Sequence, residues 1–212
     1  SDCEVINALY REHEPASFLN RLNGIFAFAL WDRDQQRVLI ARDPIGVVPL
    51  YWGHDQDGRL VVASELKSLV DICADAAQFP PGHWYDSATD TLTRYYERPW
   101  RDYAAVEGVE ADRVALREAF ERAVHRQLMT DVPYGVLLSG GLDSSLVAAV
   151  AARYARHRIE DGDRTEAWWP RLHSFAIGLA GSPDLAAAKI AAEALGTVHH
   201  GFEYTFEEGL DA

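Results

Sequence analysis

The spacing of apolar and polar positions changes about halfway along the chain. Val5, Ile6, Leu9 and Tyr10 recur at helical intervals, which predicts a short amphipathic helix over Glu4 to Glu12. Short apolar runs separated by polar turns follow. Ile25 to Trp31 and Arg37 to Ala41 read as strands around the turn Asp32 to Gln36. Leu50 to Gly53 and Arg59 to Ala63 form a second pair, with Asp57-Gly58 as a strong hairpin signal. Ser64 can cap a short helix through Val70. A third hairpin joins His83 to Asp86 and Leu92 to Tyr96, turning at Ser87 to Asp90. This is the pattern of an antiparallel, α+β portion.

Residues 97–110 break that pattern with Pro99, Gly108 and mixed charge, so a boundary is expected there, dividing the chain into 1–104 and 105–212. A helix is predicted from about Asp112 to Leu128, with Ala119, Phe120, Ala123 and Val124 facing inward. From Tyr134 strand and helix alternate. Tyr134 to Leu138 is an apolar strand, Leu146 to about Arg156 an Ala-rich helix, and Leu172 to Leu179 a second buried strand. Pro183 to Leu195 is a second helix and His199 to Tyr204 a third strand. That order implies an α/β portion with a parallel sheet and right-handed crossovers. Ligands of such sheets bind beyond the carboxyl ends of the strands.

The segment Ser139-Gly-Gly-Leu-Asp-Ser-Ser145 lies at such an end. A tight strand-to-helix turn gathers backbone N–H groups and a positive helix end at one spot, which suits phosphate. The loop has neither GxxxxGK[ST] spacing nor a lysine, so it is not the common NTPase loop. The amides of Gly140 and Gly141 could cradle a triphosphate or its pyrophosphate end, helped by the hydroxyls of Ser139, Ser144 and Ser145. Asp143 would repel phosphate unless Mg²⁺ lies between them; its plainer role is a first-turn acid that satisfies the helix dipole. Leu138 and Ile177 could wall a base pocket or simply be core. A lysine-free loop with carboxylate-bound Mg²⁺ suits release of intact pyrophosphate, as in adenylation of a carboxylate.

Bulk numbers narrow the field. Of 212 residues, 48% are hydrophobic, enough for a real core, and the net charge of −13 argues against a broad nucleic-acid face. Lysine occurs only at Lys67 and Lys189. No apolar run approaches membrane-spanning length, no secretory leader is visible, and Cys3 and Cys73 make neither a disulfide framework nor a metal spacing. A cytoplasmic protein with small-molecule substrates is expected. The chain opens at Ser1 without methionine and stops soon after the helix-start signal Thr205-Phe206-Glu207-Glu208, which reads as a fragment cut at both ends.

Ser139 to Ser145 looks like the pyrophosphate loop of the ATP pyrophosphatase superfamily. The first half resembles part of a class II glutamine amidotransferase domain through Leu22-Asn-Gly-Ile-Phe-Ala-Phe-Ala29, Ala41-Arg-Asp-Pro-Ile-Gly46, Pro49-Leu-Tyr51 and Ala63-Ser-Glu-Leu-Lys67. In this order the two resemble the glutamine-dependent asparagine synthetase family. Asp131-Val-Pro-Tyr-Gly135, Trp168-Trp-Pro170, His173-Ser-Phe-Ala-Ile-Gly178 and Gly181-Ser-Pro-Asp184 extend the likeness. The resemblance implies a two-site enzyme, in which glutamine supplies ammonia and Mg-ATP adenylates aspartate. A β-lactam-forming relative and a non-catalytic nucleotide-binding module remain alternatives.

By the same resemblance, Leu138, Ser139, Gly140, Gly141, Asp143, Ser144, Ser145 and Ile177 match nucleotide and pyrophosphate positions, and Asp2 matches the acid that binds the glutamine α-amino group. It also implies a homodimer. The family's cysteine nucleophile and the acidic motif that completes the synthetase site have no counterpart in the chain, so no catalytic residue is assigned and the chain alone is expected to be inactive. Cys3 falls on an internal family segment and is expected to be a small buried residue. Arg42 and Asp43 are expected to form a structural salt bridge or a turn anchor, His199-His200 to open a strand, and Trp168-Trp169 to pack a long connection.

Overall fold

A computed structural model describes residues 3–130, 132–157, 166 and 171–211. Asp2 and Trp168-Trp169 lie outside the described residues. The chain divides into two compact units, Ser1–Gly108 and Val109–Ala212.

In the first unit, helices α1 (Glu4–Glu12) and α2 (Pro15–Leu19) precede strands β1 (Ala27–Asp32) and β2 (Arg37–Arg42). Strands β3 (Tyr51–His54) and β4 (Leu60–Ala63), helix α3 (Lys67–Val70) and strands β5 (Ala77–Gln78), β6 (His83–Asp86) and β7 (Thr91–Arg94) follow. They form two antiparallel sheets, ordered β1-β2-β6-β7 and β4-β3-β5. β2 organises both layers because its side chains alternate faces. Leu39 and Ala41 join Phe18, Leu19 and Tyr95 in one core, and Ile40 joins Leu50, Phe79 and Tyr85 in the other. A strand buried on both faces needs a continuous apolar run, which Val38 to Ala41 supplies.

Arg42 and Asp43 end this strand, both buried. Each serves the backbone: Arg42 donates to the carbonyls of Gly46, Val48 and Phe79, at 2.8, 2.9 and 2.7 Å. Asp43 accepts from the amides of Phe26, Ile45, Gly46 and Val47. The pair is a turn anchor, since each charge is spent on peptide groups of the loop.

Two local expectations are corrected here, and two elements were not expected. Ser64 does not cap α3, whose N-cap is Leu66, with no side-chain cap bond. Cys3 is exposed, because it precedes a helix whose own residues are none of them fully buried. The two-residue strand β5 and the helix α2 carry too little periodicity to be read in advance.

The second unit begins with α4 (Arg113–Gln127), capped by Asp112, whose carboxylate accepts from Val114 and Ala115. Of the face expected inward, Val124 is buried and Phe120 partly so, while Ala119 and Ala123 are exposed. Only the larger pair reaches the cluster formed by Val150, Ala151, Ala155 and Leu172. Strand β8 (Gly135–Leu137) leads into α5 (Leu142–Tyr154), then β9 (His173–Leu179), α6 (Pro183–Leu195), β10 (Val198–Tyr204) and α7 (Phe206–Asp211). The three strands form a parallel sheet ordered β10-β9-β8.

Ser182 caps α6, Pro183 opens it and Gly196 closes it at φ +68°, so its bounds follow local chemistry at both ends. The Thr205–Glu208 capping box also forms: Thr205 N–H donates to Glu208 Oε2 at 2.8 Å, and Glu208 N–H to Thr205 Oγ1 at 3.2 Å. The core beneath is built of small residues, Ala148, Ala176, Ala188 and Ala192 around Leu138, which lets helix backbones approach the sheet closely. Among the described residues, no helix is long and apolar enough to cross a membrane.

Candidate functional site

The loop between β8 and α5 stands at the carboxyl end of β8. The helix starts at Leu142, four residues before the expected Leu146, so Asp143, Ser144 and Ser145 belong to its first turn. These residue types are weak in helix interiors but favoured at starts, where their side chains reach backbone groups. Gly141 is the N-cap, extended at φ −71° and ψ 166°, with no side chain to satisfy the helix end. The amides of Leu142, Asp143 and Ser144 therefore open the helix with no intrahelical acceptor, and α5 adds the positive end of its dipole.

Two hydroxyls clasp the turn. Ser144 Oγ donates to the Gly141 carbonyl at 3.2 Å and lies 2.9 Å from Ser139 Oγ. The Ser139 amide donates to Ser144 Oγ at 3.3 Å, and the Gly141 amide to Ser139 Oγ at 3.4 Å. Ser139 and Ser144 thus hold the loop closed from either end of the turn, a pairing that sequence spacing alone does not reveal.

Gly140 has a different task. Its φ is +78°, and a Cβ built there would lie 2.5 Å from the backbone carbon of Ala187 and from the nitrogen of Ala188. The α6 backbone therefore rests directly on Gly140, fixing the loop against the second helix. At Gly141 the nearest atom to an added Cβ is Ser139 Oγ at 3.5 Å, an ordinary contact, so nothing crowds this residue. The two glycines divide the work: one locks the scaffold, the other leaves the amides accessible.

The remaining candidates separate. Asp143 is exposed in the first turn of α5. Leu138 is 1% exposed and packs among the alanines of the core, so its side chain is scaffold. Ile177 is 72% exposed. The β8–β9 register pairs Leu137 with Phe175, so two residues further on Ile177 comes level with Ser139. Ile177 and the 83% exposed Leu137 then offer an apolar surface beside the loop. His199 and His200 lie in β10, as expected: His199 Nδ1 is 2.9 Å from Ser174 Oγ, and His200 stacks on His173 and Phe175. Among the described residues no group of three or more His, Cys, Asp or Glu side chains could hold a metal ion.

Comparison with known proteins fits this division. A family model described as asparagine synthase matches residues 115–212, and a glutamine amidotransferase domain model matches residues 1–71. The second match lies within the first unit and the first match within the second unit. The chain is 54% identical over 212 residues to asparagine synthetase B (glutamine-hydrolysing) of Escherichia coli strain K12, covering all of this chain and 38% of that protein. Asparagine synthetase of Sandersonia aurantiaca is 52% identical over 212 residues, and a probable one from Dictyostelium discoideum 49% over 216 residues; each match covers all of this chain and 39% of the relative. The chain is similar along its whole length to these glutamine-hydrolysing asparagine synthetases, and spans about two fifths of their length.

Proposed function

We propose that the chain is part of a glutamine-hydrolysing asparagine synthetase, and that the Ser139–Ser145 loop binds the pyrophosphate end of ATP. The observation that carries this reading is the loop itself: open amides at a helix start, a hydroxyl clasp, and a glycine locked against α6. In this reading residues 1–104 belong to a class II glutaminase domain and 105–212 to an ATP-pyrophosphatase-type synthetase domain. The overall reaction converts ATP, aspartate, glutamine and water into AMP, pyrophosphate, asparagine and glutamate.

Each group then has a defined task. The aspartate β-carboxylate attacks the α-phosphorus of ATP, forming β-aspartyl-AMP, and ammonia from glutamine displaces AMP. The amides from Gly140 to Ser144 hold pyrophosphate as charge builds on the bridging oxygen. Ser145 adds a hydroxyl donor, while Ser139 and Ser144 keep the loop in shape through their clasp. The apolar surface at Leu137 and Ile177 receives the base. Mg²⁺ fits only as the nucleotide's counter-ion, because Asp143 is the single carboxylate in the loop; bound there, it would neutralise phosphate charge. Asp2 binds the α-amino group of glutamine. A cytoplasmic homodimer completes the reading.

The relatives named above all carry the asparagine synthetase name, which favours aspartate over other carboxylates. The test is asparagine formation by the full-length gene product. Gly141→Val should abolish it while leaving glutamine hydrolysis intact. Undiminished asparagine formation by that variant would remove the loop from the reaction.

A further inference from the structure

The first unit carries a concentration of positive charge that the reading above does not use. A cavity of about 420 Å³ lies between the start of β6 and the chain leaving β7, and His83, Arg94, Arg98, Trp100 and Arg101 line it. Backbone architecture brings these residues together. His83 and Arg94 are cross-strand partners in the β6–β7 ladder. The amides of Tyr95 and Tyr96 both donate to the Gly82 carbonyl, which turns the departing chain back over the strand start. Arg98 Nη2 donates to the Pro44 carbonyl, and a 3₁₀ turn over Pro99–Arg101 sets Trp100 and Arg101 beside it. His83 Nδ1 donates to the Pro81 carbonyl at 2.8 Å, so Nε2 is the ring atom left for a ligand.

Charge balance makes this cluster unusual. The chain has a net charge of −13, yet among the described residues no carboxylate lines the cavity. None of the ion pairs among the described residues uses Arg94, Arg98 or Arg101. The neighbouring Asp102 is turned to its own backbone, its Oδ1 accepting from the Ala104 amide at 3.1 Å. Three guanidinium groups around one cavity repel each other, and a bound anion reverses that balance. Their planar, multi-donor forks match phosphate and carboxylate oxygens better than a single ammonium would. The half-exposed Trp100 indole closes the set with a flat apolar surface.

We propose that this cavity is an anion-binding site for a small polyanion carrying two or more phosphate or carboxylate groups. It stands apart in sequence from the Ser139–Ser145 loop and does not depend on the role proposed for that loop.

The test uses the full chain labelled with 5-fluorotryptophan, with inorganic pyrophosphate titrated against sodium chloride at constant ionic strength. The Trp100 ¹⁹F resonance is assigned through Trp100→Phe. A saturable shift of that resonance is expected. The double variant Arg94→Gln/Arg101→Gln should weaken it roughly tenfold or more, with partial recovery in Arg94→Lys/Arg101→Lys. Resonances of Trp31, Trp52 and Trp84 should stay in place, which shows that the unit is still folded. Gly141→Val should leave the Trp100 response unchanged, separating this site from pyrophosphate bound at the loop. A Trp100 resonance that never moves, a linear shift matched by chloride, a response that survives the double Gln variant, or one that Gly141→Val removes would each overturn the proposal.

Discussion

Gly140→Ala should destabilise the second unit far more than Gly141→Ala, although the two glycines are adjacent in one loop. At Gly140 two effects add. A non-glycine residue held at φ +78° costs about 1–3 kcal/mol. The new methyl would also sit 2.5 Å from two backbone atoms of α6, where the best carbon contact is about 3.5–4.0 Å, so helix or loop must move by about 1 Å. Overpacking of that kind costs about 1–3 kcal/mol more, for a total of about 2–6 kcal/mol. At Gly141 the backbone is already extended and nothing crowds the site, so alanine should change stability by less than about 1 kcal/mol, with a gain from the stiffer unfolded chain. Hydrogen-exchange mass spectrometry on the full chain reads this locally. Amides of β9 and α6 should exchange roughly a hundredfold faster in Gly140→Ala, since about 1.4 kcal/mol is a factor of ten, while peptides covering β2 serve as an unchanged internal reference. Equal protection of β9 in the two variants would refute the division of labour between the glycines.

Other outcomes follow from the same geometry. Asp43→Ala strips an acceptor from four backbone amides around a buried turn and should cost about 3 kcal/mol or more, measured by urea unfolding; a loss under about 1 kcal/mol would contradict the anchor role. Burial, with help from its bond to Asp90, pushes Tyr85 up to about 12. The unfolded phenol ionises near 10, so stability held below that pH should drain away as pH rises from about 10 to 12, and Tyr85→Phe should flatten this slope in alkaline unfolding curves. Asp143→Asn in the full-length gene product should raise the KM for Mg-ATP and leave the glutamine KM unchanged; an unaltered ATP KM would return Asp143 to a plain first-turn acid.

What the sequence disclosed depended on whether local chemistry or distant packing sets each feature. Helix α6 was legible at both ends because Ser182, Pro183 and Gly196 carry its caps. The parallel sheet was legible because strand and helix alternate, and the Asp57-Gly58 hairpin because Gly58 adopts φ +75°. The start of α5 differs from the expected Leu146 because the polar residues after Gly140-Gly141 look like loop, yet the helix begins at Leu142, directly after the glycine pair. The pairing of β2 with β6 joins residues such as Leu39 and Asp86, far apart in sequence, and no local signal announces it. The inward face of α4 was drawn too wide, since helical spacing shows which residues share a face but not how far the neighbouring helix reaches. In the candidate loop the residue types were plain from the outset. That Gly140 bears on Ala187 and Ala188, and that Ser139 clasps Ser144, became visible only with α6 and α5 in place.

The most direct test of the central claim is ATP–pyrophosphate exchange catalysed by the full-length gene product with a panel of carboxylic acids. Exchange should depend on aspartate and fall to background in Gly141→Val, while glutamine hydrolysis continues. Exchange supported by a bulky β-amino acid and not by aspartate, or aspartate-dependent exchange that Gly141→Val leaves untouched, would contradict it.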